Sequence, residues 1–433
     1  MIRATTLTTA ALLGLTLLAP GTSSAAVGET CQGVPATIVG STAQRELRGT
    51  EGPDVIVTQG STFVWALGGD DLVCVTGTNW SARIDAGDGH DVVDATGAGS
   101  GSTTVLGTGA DRFTGSRFGE SVTAGTGTTQ SLDTETDVIE TRGDYDDVVV
   151  SGQDGVANAD QISLGRGTLT WHGIPTPTSV LDGGRYSRLQ LELDAHGRVV
   201  LDNVAGTLTQ EGLPTLAIPG FTQFDIVTPD GSGPFQFVGS DTSEALDLTA
   251  WRFLDHRVEM NGGSDRLRVR AEHELHDLTA YDGGAGARDQ LTLTMPGQEV
   301  VDLDLDRGRL TTGLRQRERT TSARAFESAG VMAQRVRLVG TSRKNTLSVD
   351  ACRARVEGLG GRDVISYLRQ DTDETLPCRR RSATFVGGAG RDVLSGTPGP
   401  DRLLGGSGND EAQGRKGRDV CEAEERHGCE VRL

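Results

Sequence analysis

The sequence predicts an all-β protein, a right-handed parallel β-helix or β-roll solenoid wound from short coils. Three observations predict it. Residues 387–422 divide without gaps into four nine-residue units that share their glycines and an acid. The 433-residue chain holds 61 Gly and only 4% aromatic residues, which suits a thin, layered core of small side chains. A block of about a hundred residues also recurs in register through the middle, which one winding chain explains better than separate globules do.

The nine-residue units begin at Gly387, Gly396, Gly405 and Gly414. Each has Gly at its fourth place (Gly390, Gly399, Gly408, Gly417) and Asp at its sixth (Asp392, Asp401, Asp410, Asp419). Gly388 and Gly406 fill the second place of two units, and Arg415 stands there in the last. The eighth place holds Leu394, Leu403, Ala412 and Cys421, so an apolar or thiol side chain recurs in step with the acid. Glycine lets the backbone take positive φ and bring its carbonyls close to a shared point, while Asp adds a hard anionic oxygen. Two units make one coil, which stacks Asp392 with Asp410 and Asp401 with Asp419. The last three places form a short strand whose eighth side chain points inward, since alternate side chains face opposite ways.

In this G-G-x-G-x-D-x-U-x pattern, residues 387–422 resemble the RTX, or hemolysin-type, calcium-binding repeats. The resemblance implies Ca2+ ions between coils that join one rung to the next. Its ligands would come from the turns at Gly388, Gly390, Gly399, Gly406, Gly408 and Gly417 and from Asp392, Asp401, Asp410 and Asp419.

Imperfect copies occur near the other end. Gly49-Thr50-Glu51-Gly52-Pro53-Asp54 copies Gly396-Thr397-Pro398-Gly399-Pro400-Asp401, and further Gly/Asp turns carry Asp71, Asp91 and Asp111. Separations of 17, 20 and 20 residues are close to one coil per acid, so these four are expected to form a metal-binding column along one edge. In the middle, Leu181-Asp182-Gly183-Gly184 returns as Tyr281-Asp282-Gly283-Gly284, and Arg257-Val258-Glu259 leading to Asp265 returns as Arg355-Val356-Glu357 leading to Asp363. The units starting at Gly40, Gly115, Gly239 and Gly340 have Arg45, Glu120, Glu244 and Asn345 at the sixth place. Those rungs are expected to hold by packing and ladder hydrogen bonds without metal.

The chain is thereby divided into a signal segment (1–26), N-terminal calcium-binding coils (27–115), a degenerate β-helix with the internal duplication (116–382) and a C-terminal nonapeptide roll with a disulfide cap (383–433). Strands are expected at 148–150, 189–193, 291–293 and 300–305, which are rich in β-formers and bounded by Gly, Asp or Pro. A lateral loop or short helix is expected at 324–332. Roughly twenty coils at about 4.8 Å each make a rod of about 95 Å.

A formal net charge of −19 argues against nucleic acid or an anionic membrane as partner. Arg3, the apolar run from Leu7 to Leu18 and the small residues Ser24-Ala25-Ala26 read as a secretory signal; that run is shorter than the ~20 residues a spanning helix needs, and no second apolar run follows. A secreted, extracellular monomer is expected. Six cysteines in an exported chain suggest three disulfides. Fifteen pairings are open, and short loops favour Cys421 with Cys429 and Cys352 with Cys378, leaving Cys31 with Cys74.

No G-x-S-x-G, phosphate loop or paired nucleophile and base is present, and His273-Glu274-Leu275-His276 is too short for the zinc motif H-E-x-x-H. A non-enzymatic calcium-binding solenoid is the first reading. A second is an enzyme acting on acidic polysaccharide, a lyase or epimerase, for which Asp302, Asp304 and Asp306 would share a strand face near Arg307 and Arg309. A third is a cell-surface adhesion or spacer protein that contacts cell-wall or extracellular polysaccharide.

Overall fold

The computed structural model describes residues 28–432 apart from 78–80, 127–132, 146, 185, 194–196, 229–232, 251–254, 272–274, 277, 315–316 and 369–375. The signal segment and the His273-Glu274 pair lie outside the described residues. Every regular element described is a β-strand, and thirty-nine of the strands join into one hydrogen-bonded sheet. The chain is a β-solenoid.

Each coil gives one short strand to each of two parallel stacks. In one stack Val55–Val57, Leu72–Cys74, Val92–Asp94 and Arg112–Thr114 lie in register, with Ile56, Val73, Val93 and Phe113 superposed and buried. In the other, Gln223–Thr228, Ala245–Ala250, Arg266–Ala271 and Gln290–Thr294 superpose Phe224, Leu246, Leu267 and Leu291. The period-two alternation thus points one apolar side chain inward from each three-residue strand and two or three from the longer ones, and identical places meet above and below. Leu394 stacks on Ala412 and Leu403 on Cys421, all fully buried, which is the inward eighth place of the repeat.

Residues 324–332 form no helix. They bridge Arg317–Arg324 and Ser328–Val339, and the latter is held on both sides, with Ala329 and Val331 buried. Ladder bonds on two sides outweigh the helix propensity of a few Ala and Glu residues.

Two antiparallel excursions interrupt the winding at related places. Val199–Asp202 pairs antiparallel with Thr207–Gln210, which pairs antiparallel with Leu216–Ala217. Val300–Asp304, Arg309–Leu314 and Arg317–Arg324 repeat the arrangement. Gly206 (φ +63°) and Gly308 (φ +62°) turn the two hairpins in the same left-handed conformation.

Disulfides join Cys31 to Cys74, Cys352 to Cys378 and Cys421 to Cys429, the pairing that short loops favour. The hairpin of Thr30–Cys31 and Val34–Pro35 is tied by the first to the outer side of the early coils, where Cys31, Val57 and Cys74 form a small apolar cluster. At the far end, Glu425–His427 and Val431–Arg432 pair in parallel with Glu411–Gln413 and Val420–Glu422, so the charged tail is itself the final coil.

Candidate metal centre

The sixth-place acids form ladders of their own. Asp54 N–H donates to Asp71 Oδ1 (2.7 Å), Asp71 to Asp91 (2.8 Å), Asp91 to Asp111 (2.8 Å), Asp111 to Asp137 (2.9 Å) and Asp137 to Asp160 (2.9 Å). Asp392 N–H reaches Asp410 Oδ1 and Asp401 N–H reaches Asp419 Oδ1, both at 2.8 Å. Asp392 therefore stacks with Asp410 and Asp401 with Asp419. Two tail acids end these columns, since Asp410 N–H donates to Glu424 (2.8 Å) and Asp419 N–H to Glu430 (2.6 Å).

One oxygen of each carboxylate is thus a rung joint, and the other distinguishes two kinds of turn. In nine turns the second oxygen is buried with no hydrogen-bond partner among the described residues: Oδ2 of Asp71, Asp91, Asp111, Asp265, Asp289, Asp363, Asp392, Asp410 and Asp419. Each of these turns has a left-handed residue at its second place, in order Leu67, Gly87, Gly107, Asn261, Gly284, Leu359, Gly388, Gly406 and Arg415, with φ between +60° and +112°. The turn before Asp289 has one residue more than the others. In several of these turns the strand runs on through the first three places, as in Ser382–Ala389 and Arg402–Ser407, with Gly388 registered on Gly406.

In five other turns the second place is Ser or Thr and supplies donors instead. Thr397 gives its N–H and hydroxyl to Asp401 (2.6 and 2.9 Å), and Thr50 does the same for Asp54 (2.7 and 2.9 Å). Ser116 closes on Glu120, Ser240 on Glu244 and Thr341 on Asn345 in the same way. Asp54 and Asp401, with Gly399 between Thr397 and Asp401, therefore belong to turns whose carboxylates are occupied by hydrogen bonds.

Burial and electrostatics follow this division except at Asp401, which burial raises to about 6 despite its Thr397 donors. Burial, reinforced by neighbouring acids in the stack, pushes the carboxyls up to about 7 at Asp71, Asp111, Asp265 and Asp363 and about 6 at Asp91. Asp289, Asp392 and Asp419 are raised for the same first reason. At Asp54 the cost of burial is outweighed by the Thr50 and Thr37 donors, and the carboxyl falls below its ordinary value. Asp137, where burial and Asp160 act together, rises to about 9 beside a cavity of about 410 Å³ that Asp133, Glu135 and Asp160 also line.

A buried carboxylate oxygen without a donor is relieved either by a proton, which is why these carboxyls are raised, or by a cation that faces it. The donor set fits a hard cation. A Cβ built at Gly387 would lie 2.5 Å from both Asp392 Oδ2 and Gly405 O, so a carboxylate and the next coil's carbonyl converge there. No three His, Cys, Asp or Glu side chains converge among the described residues, so a ligand set here would combine at most two such side chains with backbone carbonyls. All-oxygen sets of that kind suit Ca2+ and not Zn2+.

The proposed polysaccharide face is arranged otherwise than expected. Asp306 lies in the turn beyond Val300–Asp304 and is exposed, Asp304 is buried under Arg307 (2.8 Å), and Asp302 pairs with Arg337 (3.0 Å). Strand alternation does not extend past Asp304, because the chain turns there into the second hairpin.

Sequence reasoning missed Asp137, Asp160, Asp265, Asp289 and Asp363 as members of the columns. Loops lengthen the coils between them, and the only sign was the Gly-Gly-x-Asp run at 262–265 and 360–363.

Comparison with known families places residues 386–421 in the RTX calcium-binding nonapeptide repeat, in four copies. This short part of the chain is an RTX-type calcium-binding β-roll. No curated protein matches the chain.

Proposed function

We propose that this is a secreted, non-enzymatic solenoid that Ca2+ stabilises, with ions held in the open turns at Asp71, Asp91, Asp111, Asp392, Asp410 and Asp419. Gly388, Gly390, Gly406, Gly408 and Gly417 shape the turns of the last three. Asp54, Asp401 and Gly399 are left out, because threonine donors already fill those carboxylates. The observation that carries the reading is the row of buried, donor-free Oδ2 atoms in turns built around left-handed residues.

Bound calcium would supply the positive charge that a stack of buried carboxylates lacks. The chain's own part is to hold each carboxylate still. Oδ1 is fixed by the neighbouring N–H, which aims Oδ2 at the turn, and the ladder of parallel strands sets the coil spacing. Extracellular calcium modules bind at about 10⁻⁴ to 10⁻³ M, and a site present only in the fold adds about 1.4 kcal/mol at tenfold excess of ion. Several such sites decide whether terminal coils are ordered. Six cysteines paired in three disulfides support an oxidising, extracellular destination, as does the leader-like segment 1–26.

Calorimetric titration of the chelator-treated full chain with calcium, paired with thermal unfolding, tests the proposal. Saturable binding with a rise in Tm is expected. No heat and no Tm change between chelator and millimolar calcium would refute it.

A further inference from the structure

We propose that the central coils, outside the matched repeats, hold three further calcium sites at Asp265, Asp289 and Asp363. This rests on the calcium reading of the terminal turns. It extends that reading to coils whose sequences depart from the nonapeptide, with Met260-Asn261, Leu359 or an extra residue in the turn.

The three acids occupy the same place in the architecture as Asp392. Glu244 N–H donates to Asp265 Oδ1, Asp265 N–H to Asp289 Oδ1 and Asp289 N–H to Glu327, each at 2.8 Å. The column resumes with Asn345 N–H to Asp363 Oδ1 (2.7 Å) and Asp363 N–H to Asp392 Oδ1 (2.8 Å). Asp265 is 2% exposed and the other two are fully buried, yet Oδ2 of each has no partner among the described residues. A carbonyl faces two of these oxygens. A Cβ at Gly286 would collide with the Asp289 carboxylate and stand 2.5 Å from Gly263 O, and one at Gly358 would collide with Asp363 Oδ2 and stand 2.5 Å from Gly387 O. Carboxylate and carbonyl oxygens brought together in this way repel one another, at Asp289 even with the Gly286 N–H beside the carboxylate, and a hard cation reverses the sign of that interaction.

The neighbouring turns show what the chain does where such a site is closed. Ser240 donates to Glu244 and Thr341 to Asn345, within the same columns. Asn261 and Leu359 instead stand at the corresponding places in the left-handed region, at φ +60° and +73°. That conformation costs about 1–2 kcal/mol at Leu359 and less at Asn261, whose short amide tolerates it, and it leaves the carboxylate open.

The test is a count of bound calcium at saturation by native mass spectrometry on the full chain after chelator dialysis. About one ion per open turn gives nine for the wild type, the number of donor-free carboxylates, and six if the central coils are silent. Asp289→Asn and Asp363→Asn should each lower the count by one, and both should fold, since Asn345 already occupies such a place between Glu327 and Asp363. Glu244→Gln should leave it unchanged. A wild-type count of six, with Asp392→Asn lowering it and Asp289→Asn and Asp363→Asn leaving it alone, overturns this inference while the terminal sites stand. A wild type that binds no calcium overturns both.

Discussion

The backbone N–H of Asp392 donates to Oδ1 of Asp410 at 2.8 Å, eighteen residues along the chain. That single bond gives the acid two separable duties, joining one coil to the next through Oδ1 and leaving Oδ2 free for a cation. Asp410→Ala removes both duties and strands a buried N–H, which costs about 1–3 kcal/mol even in chelator. Asp410→Asn keeps an acceptor for the N–H and loses only the charge. Urea unfolding should therefore separate the variants in chelator, and the difference between wild type and Asp410→Asn should widen in millimolar calcium.

Acidity should stabilise the metal-free protein. The carboxyls of Asp71, Asp111, Asp265 and Asp363 are raised by burial to about 7, so between about pH 4 and 7 the folded chain binds more protons than the unfolded one. The stabilisation they give is complete below the ordinary carboxyl range and is lost as pH rises through 7. Calcium requires the deprotonated form and should reverse the trend. Thermal scans from pH 5 to 8 are expected to show Tm falling with pH in chelator, and rising or level in excess calcium.

Thr397 should matter independently of metal. Its hydroxyl donates to Asp401 Oδ1 at 2.9 Å and accepts from Gly399 N–H at 3.1 Å, and Thr397→Val removes both bonds while keeping the backbone N–H contact and the side-chain shape. Loss of about 1 kcal/mol is expected, equal with and without calcium. A calcium-dependent loss would place an ion in that turn.

The Cys421–Cys429 bond closes a loop of eight residues, for which chain entropy predicts about 2.5 kcal/mol. In Cys421→Ala/Cys429→Ala the effect should be local. Hydrogen exchange should accelerate in Glu411–Gln413 and Val420–Glu422, against which the tail pairs, while the strands near Phe224 and Leu246 keep their protection.

The winding and the stacking of Asp392 on Asp410 were legible because residues 387–422 keep strict phase, and in a coil of fixed length period becomes vertical register. Asp54, Asp71, Asp91 and Asp111 were legible for nearly the same reason. Asp265, Asp289 and Asp363 were not, because loops and a hairpin stretch the coils that follow them to 24, 38 and 29 residues and only hydrogen-bond register reveals the shared column. The likeness of Gly49-Thr50 to Gly396-Thr397 was visible, but its meaning was not. That a Thr at the second place fills the acid, whereas a left-handed residue exposes it, depends on backbone conformation that letters alone do not state.

Each column has polarity: from Asp54 as far as Asp160, whose own N–H turns back to Asn158, and again from Asp363 to Glu424, every N–H points to the carboxylate of the next coil. A slab of whole coils consequently presents on one face the acceptor that it uses up on the other, like a brick with stud and socket. Copying such a slab into the stack creates no mismatched seam, so a chain of this kind can grow longer without redesigning either terminus. The hairpins turned at Gly206 and Gly308, 102 residues apart, lie where such growth would place them.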